Sequence, residues 1–197
     1  MTNLNLEQET LDKLKWATNN AANDFSFLGF SLDLQTGDIQ DVLKQKSAEP
    51  KLKDPTMHQQ IAELLFKYAL AGKHDRSGKL VKFKDFPGGY AYEVAFQRRA
   101  VEPIAKLFGR NPQELIKVAE LLGGKQLGHG ECSVEIEMLK GIPITIVLWT
   151  DEELPPTANV LFDESAGKYL NVEDLAGISD LTTWRLSIAQ SMLKRDF

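Results

Sequence analysis

The chain has 197 residues, with 23 basic and 28 acidic side chains and a formal net charge of −5. It is 43% hydrophobic and 26% charged, near the averages of a globular domain, which excludes a disordered tail, a collagen-like repeat and a disulfide scaffold. The acidic balance argues against nucleic-acid binding, which goes with a basic excess, and the length predicts a single domain spanning 1–197.

Residues 4–18 carry Leu4, Leu11, Leu14 and Ala17 at helical spacing and predict an amphipathic helix flanked by Trp16. Residues 25–34 alternate and are rich in aromatics. Gln35-Thr36-Gly37-Asp38 then supplies a turn, with Gly37 where positive φ is tolerated. A return strand over 39–43 completes a hairpin. Residues 44–54 are lysine-rich and read as a loop. Asp54 is the expected N-cap and Pro55 the first residue of a helix whose stripe is Ile61, Leu64, Leu65 and Tyr68, stopped at Gly72. A polar loop over 73–80 leads to a strand over 80–86. Pro87-Gly88-Gly89 breaks that strand. A helix over 90–108 should bend near Pro103, which lacks a backbone donor. Asn111-Pro112-Gln113-Glu114 reads as a capping box before Leu115, Val118, Ala119 and Leu122, and Gly123-Gly124 end that helix.

Beyond a glycine-rich loop over 123–130 the period becomes two. Val134, Ile136 and Met138 alternate with Ser133, Glu135 and Glu137, the pattern of a half-buried strand with an acidic solvent face. Lys140-Gly141 turns the chain. Residues 144–149 are apolar on both faces, as in a central strand, and 158–162 form another strand after the loop at 151–156. Asn171 is placed to cap a short helix. Asp180 is placed to cap a final one, with Leu181, Trp184, Ile188 and Met192 facing inward. Strands grouped by hairpins between helices give an α+β fold, mainly antiparallel sheet covered by helices.

Cys132 is the single cysteine, so no intramolecular disulfide forms and a reducing compartment is expected. The start of the chain has no basic-then-apolar signal peptide, and no run approaches the ~18–20 apolar residues of a membrane span. The chain reads as soluble and cytoplasmic, without membrane or nucleic-acid partners.

No strong catalytic motif is present. Gly123 to Gly130 imitates a phosphate loop, but Gln126 follows Lys125 where Ser or Thr is required, and the loop follows a helix instead of a strand. His129 and Cys132 have no further ligands nearby, and a metal site needs three or four, so no metal is expected there. Charge is uneven: residues 44–84 hold ten basic and four acidic side chains, residues 131–180 two basic and eleven acidic. The two segments either attract each other across the fold or form a bipolar surface that orients a partner.

The most suggestive segment is Trp149-Thr150-Asp151-Glu152-Glu153, an aromatic and three carboxylates at the end of the central strand, with Asp163 ending the next one. These carboxylates are either a solvated turn, ligands for a hard cation or an acid–base group. Arg98 and Arg99 interrupt a mostly uncharged stretch. A core-facing arginine there would need a carboxylate from Asp151, Glu153 or Asp163, or it would clamp an anion. Tyr90 follows the glycine bend.

Phe96, Arg98-Arg99, Pro103, Phe108-Gly109, Leu122-Gly123-Gly124, Pro143, Leu148-Trp149-x-Asp151-Glu152-Glu153, Leu161-Phe162-Asp163, Tyr169-Leu170 and Glu173-Asp174 together resemble an uncharacterised family. It is a domain of unknown function found in anaerobic bacteria and archaea, some members of which are fused to an iron–sulfur domain. The resemblance covers about residues 60–186. It implies a link to low-potential redox or cofactor metabolism and names no reaction and no cofactor. A cluster needs about four ligands, so with one cysteine any cluster belongs to a partner.

Three readings follow. The first is a binding module for a small ligand or cofactor, lined by Tyr90, Arg98, Arg99 and Trp149, an aromatic wall with a few polar groups. The second is a metal-dependent or acid–base enzyme built on Asp151, Glu152, Glu153 and Asp163. The third is an accessory protein that docks a redox partner through its acidic segment. The first is preferred.

Overall fold

The computed structural model describes residues 2–19, 23–43, 55–151 and 153–194. The expected lysine-rich loop at 44–54, the Asp54 cap and Glu152 lie outside them.

The helices are α1 (Gln8–Ala17), α2 (Pro55–Ala71), α3 (Gly89–Phe96), α4 (Glu102–Phe108), α5 (Pro112–Leu121), α6 (Ala166–Tyr169) and α7 (Val172–Leu193). Strands β1 (Thr2–Asn3), β2 (Asp24–Phe27), β3 (Phe30–Asp33) and β4 (Asp38–Asp41) form one antiparallel sheet in the order β1-β4-β3-β2. Strands β5 (Leu80–Lys82), β6 (Lys125–Leu127), β7 (Cys132–Leu139), β8 (Ile142–Trp149) and β9 (Thr157–Asp163) form a second, in the order β5-β9-β8-β7-β6, also antiparallel. The α+β class holds, with the strands divided between two sheets. One cluster of buried side chains runs through both.

Strand β8 is the spine of the larger sheet. Its side chains are buried on both faces from Ile142 to Leu148, and each fully buried aliphatic side chain contributes about 1.5–3 kcal/mol. Helices α5 and α7 pack against β7, and α4 packs against β9. The basic and acidic segments meet across the fold: Lys67 pairs with Asp174, Arg76 with Glu135 and Glu137, and Lys79 with Glu164. Arg76 and Lys125 thereby cover the face of β7 that the sequence pattern assigns to solvent.

Local corrections have physical causes. The first helix begins at Gln8, because Thr2–Asn3 pairs with β4. The strand expected over 25–34 is a hairpin of its own. Phe27 pairs with Phe30 around Leu28 and Gly29, whose φ values are +47° and +74°. Both central residues at positive φ is the geometry of a tight hairpin turn, normally built on Asn-Gly. Here Leu28 is instead held by its own burial and by Arg185, which accounts for the absence of a turn signal. The strand expected over 80–86 ends at Lys82. Phe83 turns inward through a 3₁₀ turn to stack on Phe96, with ring centroids 4.1 Å apart. Asn111 precedes α5 without capping it through its side chain, and Glu114 reaches across to accept from Gln190 Nε2. The glycine loop holds the short strand β6.

The largest correction concerns α7. The two short helices expected at 171 and 180 are one helix of 22 residues, capped by the Asn171 side chain, which accepts from the Asp174 N–H. Ser179 and Thr182 look like helix breakers, but their hydroxyls donate back to Leu175 O and Ile178 O within the helix. Leu181, Trp184 and Ile188 are only partly buried, whereas Ile178, Arg185, Leu186 and Ala189 face the core.

Candidate cleft between two helices

Helix α3 does not run directly into α4. Between them, residues Gln97–Val101 form a π-turn, closed by the Glu102 N–H donating to Gln97 O. Pro103, which has no N–H, follows at once. The Thr183 hydroxyl of α7 takes up the Ala100 carbonyl at 2.8 Å. The bend expected near Pro103 is therefore a widened turn anchored on α7. Such turns sit frequently at functional sites, because the extra residue re-aims its neighbours.

The turn carries Arg99 to the rim of a cleft between α2 and α7. Met57, Gln60, Ile61, Glu63 and Leu64 line it from α2, and Glu173, Asp174, Gly177, Ile178, Asp180, Leu181 and Trp184 from α7. Its volume is about 380 Å³, within the roughly 300–1,000 Å³ of small-molecule sites. The floor is apolar and the rim is mostly acidic. Gly177 stands at the wall, where an added Cβ would meet nothing within 4 Å.

Each rim carboxylate has a partner. Arg99 Nη2 lies 2.5 Å from Asp180 Oδ2, and Lys67 lies 2.6 Å from Asp174. Glu173 accepts from the Tyr92 hydroxyl and Glu63 from Gln59. Burial pushes the Asp180 carboxyl above the ordinary aspartate range, against the opposing pull of Arg99. A carboxylate in a cleft whose pKa is raised by burial beside a specific charge partner is a functional-site signal.

The residues nominated from sequence are dispersed. Arg99 lines the cleft, but its partner is Asp180, not Asp151, Glu153 or Asp163. Neither arginine reaches the core: Arg98 and Arg99 are both exposed. Tyr90 is 83% exposed on α3 and stands outside the cleft lining. Trp149, 48% exposed at the end of β8, lines a shallower hollow of about 290 Å³ on the outer sheet face, with Leu80, Lys82, His129, Val147, Asn159 and Leu161. The expected aromatic-and-arginine wall is thus not assembled: Arg99 lines the cleft, Trp149 lines the hollow, and Tyr90 and Arg98 line neither.

The carboxylates are equally divided. Asp151 accepts from the Glu153 and Leu154 N–H groups and so shapes its own loop, with Glu153 exposed beside it. Asp163 lies at the opposite end of β9 from that loop. It is 3% exposed and accepts from Ser77 N and Oγ, Gly78 N and Ser165 N. Those donors hold its carboxyl well below the usual range despite its burial. Its work is to pin the loop before β5 to the end of β9. Among the described residues no group of three or more His, Cys, Asp or Glu side chains is arranged to hold a metal ion. Cys132 is buried with its thiol 3.1 Å from Pro112 O, and burial pushes its pKa up, which suits packing more than nucleophilic chemistry.

Sequence reading missed Asp180, Glu173 and Gly177 as site residues. The signal becomes legible once α7 is taken as continuous: Glu173, Gly177, Asp180, Leu181 and Trp184 then recur at three- and four-residue spacing along one stripe.

A family model for a domain of unknown function (DUF3786) matches residues 25–185. The chain belongs to that family, whose extent begins well before the 60–186 core expected from its motifs and takes in the first hairpins. No curated protein and no solved structure matches the chain. Among the described residues no helix is long and apolar enough to cross a membrane.

Proposed function

We propose that the protein is a binding module for a small ligand, seated in the cleft between α2 and α7. The observation that carries this reading is the cleft itself: an apolar floor of Ile61, Leu64, Ile178, Leu181 and Trp184, with Arg99 brought by a π-turn to Asp180 at the rim. A mostly apolar pocket with a few fixed polar groups is the usual composition of such sites. The setting proposed is cytoplasmic, where Cys132 stays reduced. The tie to anaerobic redox metabolism, and to a partner carrying an iron–sulfur cluster, draws on the family resemblance.

The test is native mass spectrometry with an absorbance spectrum on anaerobically purified protein, wild type beside Gly177→Leu. The substitution fills the cleft wall and replaces no charged residue. A mass retained by wild type and lost in the variant supports the reading. A mass retained equally by both moves the site elsewhere. An apo mass, with no thermal shift across a library of small organic fragments, overturns it.

A further inference from the structure

We infer that the cleft takes an organic cation, an ammonium or amidinium group on an apolar body, and that Arg99 is its tethered stand-in. The inference rests on the small-ligand reading and assigns the ligand's chemistry. Among the described residues four carboxylates line the cleft, Glu63, Glu173, Asp174 and Asp180, against Arg99 as the lining cation. Lys67 neutralises Asp174 from outside the lining, and Glu63 and Glu173 face the neutral donors Gln59 and Tyr92. The balance that these described groups leave in the cleft is negative, and an incoming anion would meet it at short range in a partly desolvated place.

Asp180 already demonstrates what the cleft accepts. Its side chain is 22% exposed, and a guanidinium group sits on it at 2.5 Å. That guanidinium belongs to a side chain 65% exposed, held among the described residues by this one ion pair. Water and salt screen a pair whose arginine is this exposed, so Arg99 is readily displaced by a cation that also buries an apolar body. The floor supplies that burial: Leu181 and Trp184 follow Asp180 within one helical turn, and Ile61 and Leu64 face them from α2. An organic cation gains both the carboxylate and the floor, whereas Arg99 gains the carboxylate alone.

The experiment titrates the full chain with tryptamine and, as a control of like ring and opposite charge, indole-3-acetate, read by calorimetry and by amide shifts of α2 and α7. Tryptamine is expected to saturate the cleft signals and indole-3-acetate to leave them unmoved. Arg99→Ala is expected to tighten tryptamine several-fold by removing the competitor, and Asp180→Asn to weaken it about tenfold or more. Gly177→Leu is expected to abolish binding. Equal or tighter binding of indole-3-acetate, or weaker tryptamine binding in Arg99→Ala, overturns the cation assignment and leaves the small-ligand reading standing. Silence of the cleft toward both probes overturns the cation assignment too. That silence together with an apo mass in the native spectrum removes the ligand site as well.

Discussion

Helix α7 carries two arginine–aspartate pairs, one on each side of it, and they teach opposite lessons. Arg185 is fully buried and pairs with Asp41 through both terminal nitrogens at 2.7 and 2.8 Å. It donates further to Leu28 O and Gly29 O, and its guanidinium lies 4.2 Å from the Phe30 ring centroid. Four hydrogen bonds and an aromatic face hold the group, so the pair pins the small sheet to the helix and is not exchangeable. Arg99 and Asp180 form the same chemical pair at the rim of a cleft, with the arginine mostly in solvent. Identical side chains thus become a fastener or a replaceable contact according to desolvation and the number of accompanying hydrogen bonds.

The contrast can be broken by substitution, and the largest effect belongs to the buried pair. Asp41→Ala leaves an uncompensated guanidinium in the core and should lower stability by about 3–5 kcal/mol, measured by urea unfolding. A loss near 1 kcal/mol would mean that Arg185 is satisfied by the turn carbonyls and that Asp41 adds little.

Asp163 comes next. Asp163→Asn removes the charge that gathers Ser77, Gly78 and Ser165 and should cost about 2 kcal/mol, again by urea unfolding at neutral pH. The sign of its pH dependence is fixed by the depressed carboxyl. Its contribution is fully present above the unfolded-state value, about 3.9, and is lost as the pH falls toward the folded-state value. Wild type should therefore lose stability below about pH 4 more steeply than Asp163→Asn. Asp180 runs the other way. Its carboxyl is raised in the fold, so its ionisation opposes folding as the pH rises from the unfolded-state value through the raised one. Asp180→Asn should remove that opposing slope.

Smaller effects sharpen the cleft side of the comparison. Gly177→Ala should stabilise the protein by up to about 1 kcal/mol, because alanine is the better helix former and its methyl meets open space. Thermal melts would register this, and a loss instead would mean that α7 needs the glycine for packing. Arg99→Ala should change stability by about 0.5 kcal/mol or less while altering amine binding. A loss comparable to that of Asp41→Ala would make Arg99 structural and remove the distinction between the two pairs.

Much of the fold was legible from local pattern. The period-two run from Val134 to Met138, the doubly apolar run after Ile144 and the glycine stops fixed the larger sheet, and Leu115 to Leu122 fixed α5. What failed was legibility where distant groups decide local conformation. The Leu28-Gly29 turn takes its support from Arg185, 157 residues from Leu28 in sequence. The 3₁₀ turn at Phe83 is made by stacking on Phe96. The continuity of α7 depends on hydroxyls satisfied inside the helix and on burial from several sides.

The candidate site follows the same division. Composition and local pattern determined the α+β class, the central strand and the arginines of the π-turn, because periodicity and proline act within a few residues. Only the tertiary structure decided that Arg99 faces Asp180, that Asp163 ties down a loop and that Trp149 stands elsewhere. Charge pairing and cleft formation depend on which helix faces which, and that choice is made by packing between segments far apart in the chain.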